Sequence, residues 1–155
     1  MLEFIVALPI GAVFGWVIRE IVSDRLARDR TLKTIKINDF NKTANKLRES
    51  FLPIRMALNP AKFALQEDLA DFLGSHFEDN GRCVLEFSDV LDTKSKTAFL
   101  KAWHEYHCHK DQCNEKGVPF FEQYSCRGLT IEQEHEMKKL VQSRIEKILK
   151  FAKPK

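Results

Sequence analysis

The stretch NDFNKTANKLRESFLPI, residues 38–54, decides the class of fold. Its apolar positions are Phe40, Ala44, Leu47, Phe51 and Ile54, at spacings of four, three, four and three. That period draws one stripe down an α-helix, and a strand would need a period of two. Asn38 or Asp39 is placed to cap its start, because a short polar side chain can accept from the first unpaired N–H groups. Pro53 should kink the last turn, and Asn59-Pro60 should end the helix, since a residue before proline is pushed out of the α region.

The same period recurs toward the carboxyl end. Phe63, Leu65, Leu69, Phe72, Leu73 and Phe77 make a second stripe, closed by an expected turn at Asp79-Asn80-Gly81. Val84, Phe87, Val90 and Leu91 make a shorter one. Asp92 or Thr93 caps the next helix, with Ala98, Phe99, Ala102, Trp103 and Tyr106 expected inward. Residues 110–128 read as a loop, yet Val118, Pro119, Phe120, Phe121 and Tyr124 make it apolar enough to pack on the helices. Thr130 with Gln133 forms a capping box for a last helix, whose stripe is Met137, Leu140, Val141, Ile145, Ile148 and Leu149. No strand hairpin signal or internal repeat intervenes. Residues 39–155 therefore read as a compact all-α bundle of about five helices.

Toward the amino end the character changes. Leu2 to Ile18 reads LEFIVALPIGAVFGWVI, with Glu3 its only charge. Seventeen residues of helix rise about 25 Å, near the lower end of what spans a bilayer core. Trp16 stands where an indole favours the interface. A cleaved signal peptide would carry a basic start, and none precedes Arg19. The expectation is a single transmembrane helix. Arg19, Arg25, Arg28, Arg30, Lys33 and Lys36 follow it, so the positive-inside rule puts the body in the cytoplasm. Residues 1–38 are then anchor and basic connector, with Thr31–Asn38 either a frayed helix end or an extended linker. Ala7, Gly11 and Gly15 form a small-residue ridge through which two such helices could pack as a homo-oligomer.

Composition bounds the chemistry. The chain has 155 residues, 44% apolar and 30% charged, which excludes low-complexity and disordered classes. Its net charge of +3 is too small to argue for nucleic acid. Lys147 and Lys150 belong to a basic terminal helix that, with Arg19, Arg25, Arg28 and Arg30, suits an anionic membrane surface. Four cysteines are too few for a disulfide scaffold, and a cytoplasmic body would keep them as thiols or metal ligands.

The densest chemical cluster is WHEYHCHKDQC, residues 103–113. His104, His107 and Cys108 fall on one helical face, and Cys113 or Cys126 could return to it, a donor set that suits zinc. The spacing matches no zinc-finger pattern, and a helix end with histidines near the negative pole of the macrodipole explains it equally. No phosphate loop is present, and no complete nucleophile–base–oxyanion set is legible.

The segments NKTANKLRESFLP, CVLEFSDVL, KAWHEYHCH, FFEQY and ILKFA together resemble a family of uncharacterised small bacterial proteins with an amino-terminal anchor and a helical cytoplasmic domain. The resemblance runs over 40–152 and rests on Phe51, Pro53, Glu86, Phe87, Ala102, Trp103, Tyr106, Phe121 and Tyr124. It implies the fold and the anchor, and no activity. The expected function is thus a membrane-anchored interaction or accessory protein with an unidentified protein partner, without catalysis and without an obligatory cofactor. Two alternatives stand beside it: a metal-binding or thiol-dependent enzyme on the His/Cys cluster, and a self-associating membrane effector of the toxin or phage-defence type.

Overall fold

The computed structural model describes residues 4–59, 67–108 and 121–154, with the side chains of 4–18 and 21 outside that description. Among the described residues there are six α-helices and no strand: α1 (Phe4–Ser50), α2 (Leu52–Ala57), α3 (Leu69–Ser75), α4 (Phe77–Ser88), α5 (Thr93–His107) and α6 (Ile131–Leu149). Two 3-10 turns, Phe121–Tyr124 and Lys150–Ala152, flank α6. Contacts divide the chain into two units, Met1–Asn38 and Asp39–Lys155.

In the first unit the backbone is helical from Phe4 onward, and every described side chain is exposed. Thr31–Asn38 is helix throughout, neither frayed nor extended. Thr31 and Thr34 return their hydroxyls to the carbonyls of Ala27 and Arg30, at 2.9 and 3.0 Å, so these residues do not compete with the helical bonds. Asn38 and Asp39 consequently cap nothing; α1 runs through both. No helix among the described residues is long and apolar enough to cross a membrane. The side chains of Leu2–Ile18, including Ala7, Gly11 and Gly15, lie outside the described ones.

The second unit is built on the stripe that the sequence announces. Phe40, Ala44, Leu47, Phe51 and Ile54 are all buried, the last four completely. The chain breaks at Phe51, between α1 and α2, where Pro53 stands in the first turn of α2 and lacks the N–H that a continuous helix would use. Against this stripe pack Leu69 and Leu73 of α3, Val84 and Phe87 of α4, Phe99, Ala102 and Tyr106 of α5, and Val141, Ile145 and Ile148 of α6. Phe121 and Tyr124 of the first 3-10 turn are buried with them, so this end of the apolar loop is part of the core, whereas Val118, Pro119 and Phe120, like Phe63 and Leu65, lie outside the described residues.

Four local expectations fail. Val90 and Leu91 lie past the end of α4 at Ser88 and are half-buried. Asp79-Asn80-Gly81 is no turn; α4 runs straight through it. Gly81 turns toward the Trp103 ring, where an added Cβ would come to 3.8 Å, and Asn80 is fully buried. The break falls instead at His76, between α3 and α4, whose Nδ1 lies 2.9 Å from the Phe72 carbonyl oxygen. Ala98 is exposed on α5. Leu140 is 42% exposed, because Val141, Ile145 and Ile148 already fill the inward face of α6.

The caps expected for α5 and α6 do form. Asp92 accepts from Ser95 N at 3.0 Å, and Thr130 and Gln133 exchange both bonds of a capping box. Gly128, at φ +77°, supplies the left-handed residue that turns the chain into α6.

Phe51→Ala should cost about 4 kcal/mol, the range for deleting a fully buried ring. Leu140→Gln should change stability by less than about 0.5 kcal/mol. Urea unfolding followed by circular dichroism separates the two; equal losses would place Leu140 in the core.

Candidate functional site

The carboxyl end of α5 carries the chemistry. Residues three and four apart share a helical face, and the helix places His104, His107 and Cys108 so that one donor atom from each lies within 4.8 Å of the others. His104 is exposed, His107 half-buried and Cys108 buried. The His107 ring is held on two sides, 4.9 Å from the Trp103 ring and 5.4 Å from that of Phe77. Its Nδ1 lies 2.7 Å from the Trp103 carbonyl oxygen, an acceptor only, so Nδ1 carries the proton and Nε2 the lone pair. Burial pulls the pKa of His107 below the usual histidine value; the Trp103 bond opposes that and the neighbouring His104 reinforces it. The imidazole is therefore neutral at pH 7.

Cys108 ends the helix. Its backbone is extended, and its N–H donates to the His104 carbonyl at 2.8 Å. It is disulfide-bonded, whereas Cys83 and Cys126 are free thiols. The expectation that every cysteine is a thiol or a metal ligand thus fails at Cys108. Cys113 lies outside the described residues. Cys126 is not in this cluster; its sulfur donates to the Tyr124 carbonyl, 3.6 Å away. Burial, then the charges of Glu134 and Asp68, raise the Cys126 pKa, so it stays a protonated thiol and a poor nucleophile.

A second polar assembly escaped the sequence reading. Asp68 caps α3 through Ala70 N at 2.9 Å. Its other oxygen accepts from Ser125 Oγ at 3.1 Å and Cys126 N at 3.0 Å, and Arg127 Nε approaches to 3.7 Å. One carboxylate, 7% exposed, thereby ties α3 to the chain following the first 3-10 turn. Burial alone would raise its pKa. The hydrogen bonds from Ala70, Ser125 and Cys126, with the charge of Arg127, outweigh that and hold it below the usual value. A hollow of about 420 Å³ opens beside it, lined by Asp68, Asp71, Cys126, Arg127, Glu134 and Lys138. Two ion pairs belong to its wall, Arg127 with Asp71 at 2.6 Å and Lys138 with Glu134, and Glu67 adds a further acid to the lining. An aspartate ahead of the apolar run of α3 is a legible cap signal; its partners 57 and 58 residues away leave no local trace.

Between the two assemblies stands a tyrosine pair. Tyr124 donates to the Tyr106 carbonyl at 2.7 Å and accepts from Arg144, whose guanidinium also lies over the Tyr124 ring, 5.3 Å from its centroid. The Tyr106 hydroxyl and the Asn80 carboxamide are buried with no hydrogen-bond partner among the described residues.

The basic residues singled out for a membrane surface divide into two sets. Arg19, Arg25, Arg28 and Arg30 are exposed on α1. Lys147 and Lys150 are exposed on the second unit, Lys147 lying 3.6 Å from Glu105 and Lys150 over the Phe151 ring. The chain matches no protein-family model, and no curated protein or solved structure is significantly similar to it.

Because the folded pKa of Asp68 is depressed, its contribution is complete above the unfolded value of about 4. It is lost as pH falls through the folded pKa. Asp68→Asn should lower stability at pH 7 by about 2 kcal/mol and flatten the acid limb of stability against pH. Urea titrations at pH 7 and in the acid range measure both; an unchanged acid limb would remove Asp68 from that role. Tyr106→Phe should be neutral or stabilising by up to about 1 kcal/mol, because it deletes an unpaired buried hydroxyl. Tyr124→Phe should cost about 2 kcal/mol by stripping partners from Arg144 and from a buried carbonyl. Thermal melts of the two variants should therefore move apart.

Proposed function

We propose that this chain is a single-pass membrane protein whose helical domain faces the cytoplasm and acts by binding a protein partner, without catalysis of its own. The observation that carries this reading is the contrast at Ile18: seventeen residues with one acid, followed by Arg19, Arg25, Arg28 and Arg30. Support comes from the helical backbone beginning at Phe4 and from the exposure of all four arginines. An exposed basic stretch beside a lipid-length apolar run orients a span with the arginines inside. Each charge near an anionic leaflet adds about 1 kcal/mol of attraction; Lys147 and Lys150 are exposed on the second unit. The resemblance to small anchored bacterial proteins agrees with this organisation and brings no activity.

The described state of two cysteines does not favour the thiol-dependent alternative. Cys126 is held as a thiol by burial and by Glu134 and Asp68, and Cys108 is disulfide-bonded.

After a carbonate wash the full chain should remain with the membrane pellet. Ile10→Arg, which opposes insertion by about 3 kcal/mol at the centre of a span, should move it to the supernatant. A carboxyl-terminal reporter that works only in the cytoplasm should be active. Recovery of the unaltered chain in the supernatant overturns the anchor, and an inactive reporter on a membrane-bound chain overturns the orientation.

A further inference from the structure

We propose that His104, His107 and Cys108 form a zinc site that opens only when the Cys108 disulfide is reduced. This goes beyond the anchored-adaptor reading and does not depend on it.

The geometry is close to that of a bound metal. Zinc takes imidazole nitrogen at about 2.0–2.1 Å and thiolate sulfur at about 2.3 Å, so donors in a tetrahedral site lie roughly 3.3–3.6 Å apart. Here the three donors already lie within 4.8 Å of one another, and side-chain rotation of about an ångström closes the set. His107 needs no rearrangement of its tautomer. Its Nδ1 is engaged at 2.7 Å by the Trp103 carbonyl, and Trp103 and Phe77 fix the plane of the ring. A carbonyl bound to the far nitrogen is the outer support that metal-bound histidines use. The carbonyls at the end of α5 add the negative pole of the helix, which favours a cation there. Two imidazoles and one thiolate suit zinc better than the hard cations that prefer oxygen. Cys108 is buried and His104 exposed, so the site faces solvent on one side, and water completes its fourth position.

Cys108 decides when the site exists. A disulfide sulfur is not a thiolate, so the bond recorded at Cys108 and a Cys108–metal bond exclude each other. A dithiol reductant supplies two electrons and two protons. The sulfur–sulfur bond breaks, both sulfurs become thiols, and the reductant leaves as its own disulfide. Zinc then displaces the Cys108 thiol proton to water and joins the two histidines. An oxidant of the disulfide class reverses the sequence and releases the ion. Cys83 and Cys126 are already thiols and are not members of the donor group.

Cobalt(II) replaces zinc as a visible probe, titrated into the full chain in its reduced and its oxidised form. The reduced chain should bind one ion with a tetrahedral visible spectrum and a sulfur-to-cobalt charge-transfer band, and the oxidised chain should lack that band. Cys108→Ser should abolish it. His104→Ala, at an exposed position that leaves the core intact, should weaken binding at least about tenfold, with the helical circular dichroism unchanged. A reduced chain without the band, a band of equal strength in both redox forms, a band surviving Cys108→Ser, or unaltered affinity in His104→Ala each overturns the site.

Discussion

Phe51 is the residue around which the helical domain closes. Its ring lies 6.3 Å from that of Trp103 and 5.8 Å from that of Tyr106, edge to face in both cases. It also sits where α1 gives way to α2. The turn of the chain and the convergence of the rings are the same event. Pro53 interrupts the helix, yet Phe51 keeps α-region dihedrals, so Ile54 stays on the stripe carried by Phe40, Ala44 and Leu47. From Trp103 the contacts run to Phe77 and from there to Phe121, so α4, α5 and the 3-10 turn are gathered onto one aromatic seam. A second seam, Phe40 to Phe87 to Phe99 to Phe151, holds the other side. Such pairs add about 0.5–1.5 kcal/mol each beyond their buried area, which matters when a domain is stable by only 5–15 kcal/mol.

Polar groups fix what the rings leave adjustable. An aromatic seam specifies proximity and tolerates sliding; a carboxylate with three donors does not. Asp68 therefore sets the register between the start of α3 and the Ser125-Cys126 backbone. Tyr124 does the same between α5 and α6, through the Tyr106 carbonyl on one side and Arg144 on the other. These are the bonds that hold the end of α5, and with it His104 and His107, in one orientation.

The limits of the sequence follow from this division of labour. The apolar stripe of 40–54 was legible because burial imposes a period on the chain, and the same holds for Val84, Phe87, Val141, Ile145 and Ile148. The Asp92 and Thr130 caps were legible because a cap is settled within three residues. Asp79-Asn80-Gly81 misled, since turn propensity is a local preference and the packing of Gly81 against Trp103 overrides it. Ala98 and Leu140 are apolar and stand beside inward positions, but an apolar residue is not obliged to be buried. The histidine pair and Cys108 were visible by spacing, yet the disulfide was not. A cysteine's partner is set by where the chain ends up, and composition argued only about the compartment.

That compartment bears on the chemistry of Cys108. In an oxidising space a disulfide is a permanent staple, and the two histidines beside it would be bystanders. Facing the cytoplasm, the bond is held open by the reducing thiol pool, and a disulfide there is transient or redox-sensing. The basic flank at Arg19, Arg25, Arg28 and Arg30, which under the proposed orientation sets the side of the membrane, would then also set the resting state of the cluster. With the arginines inside, Cys108 spends most of its time as a thiol, and His104 and His107 face a sulfur able to share a metal with them. Insertion the other way would keep the disulfide closed and the site with it.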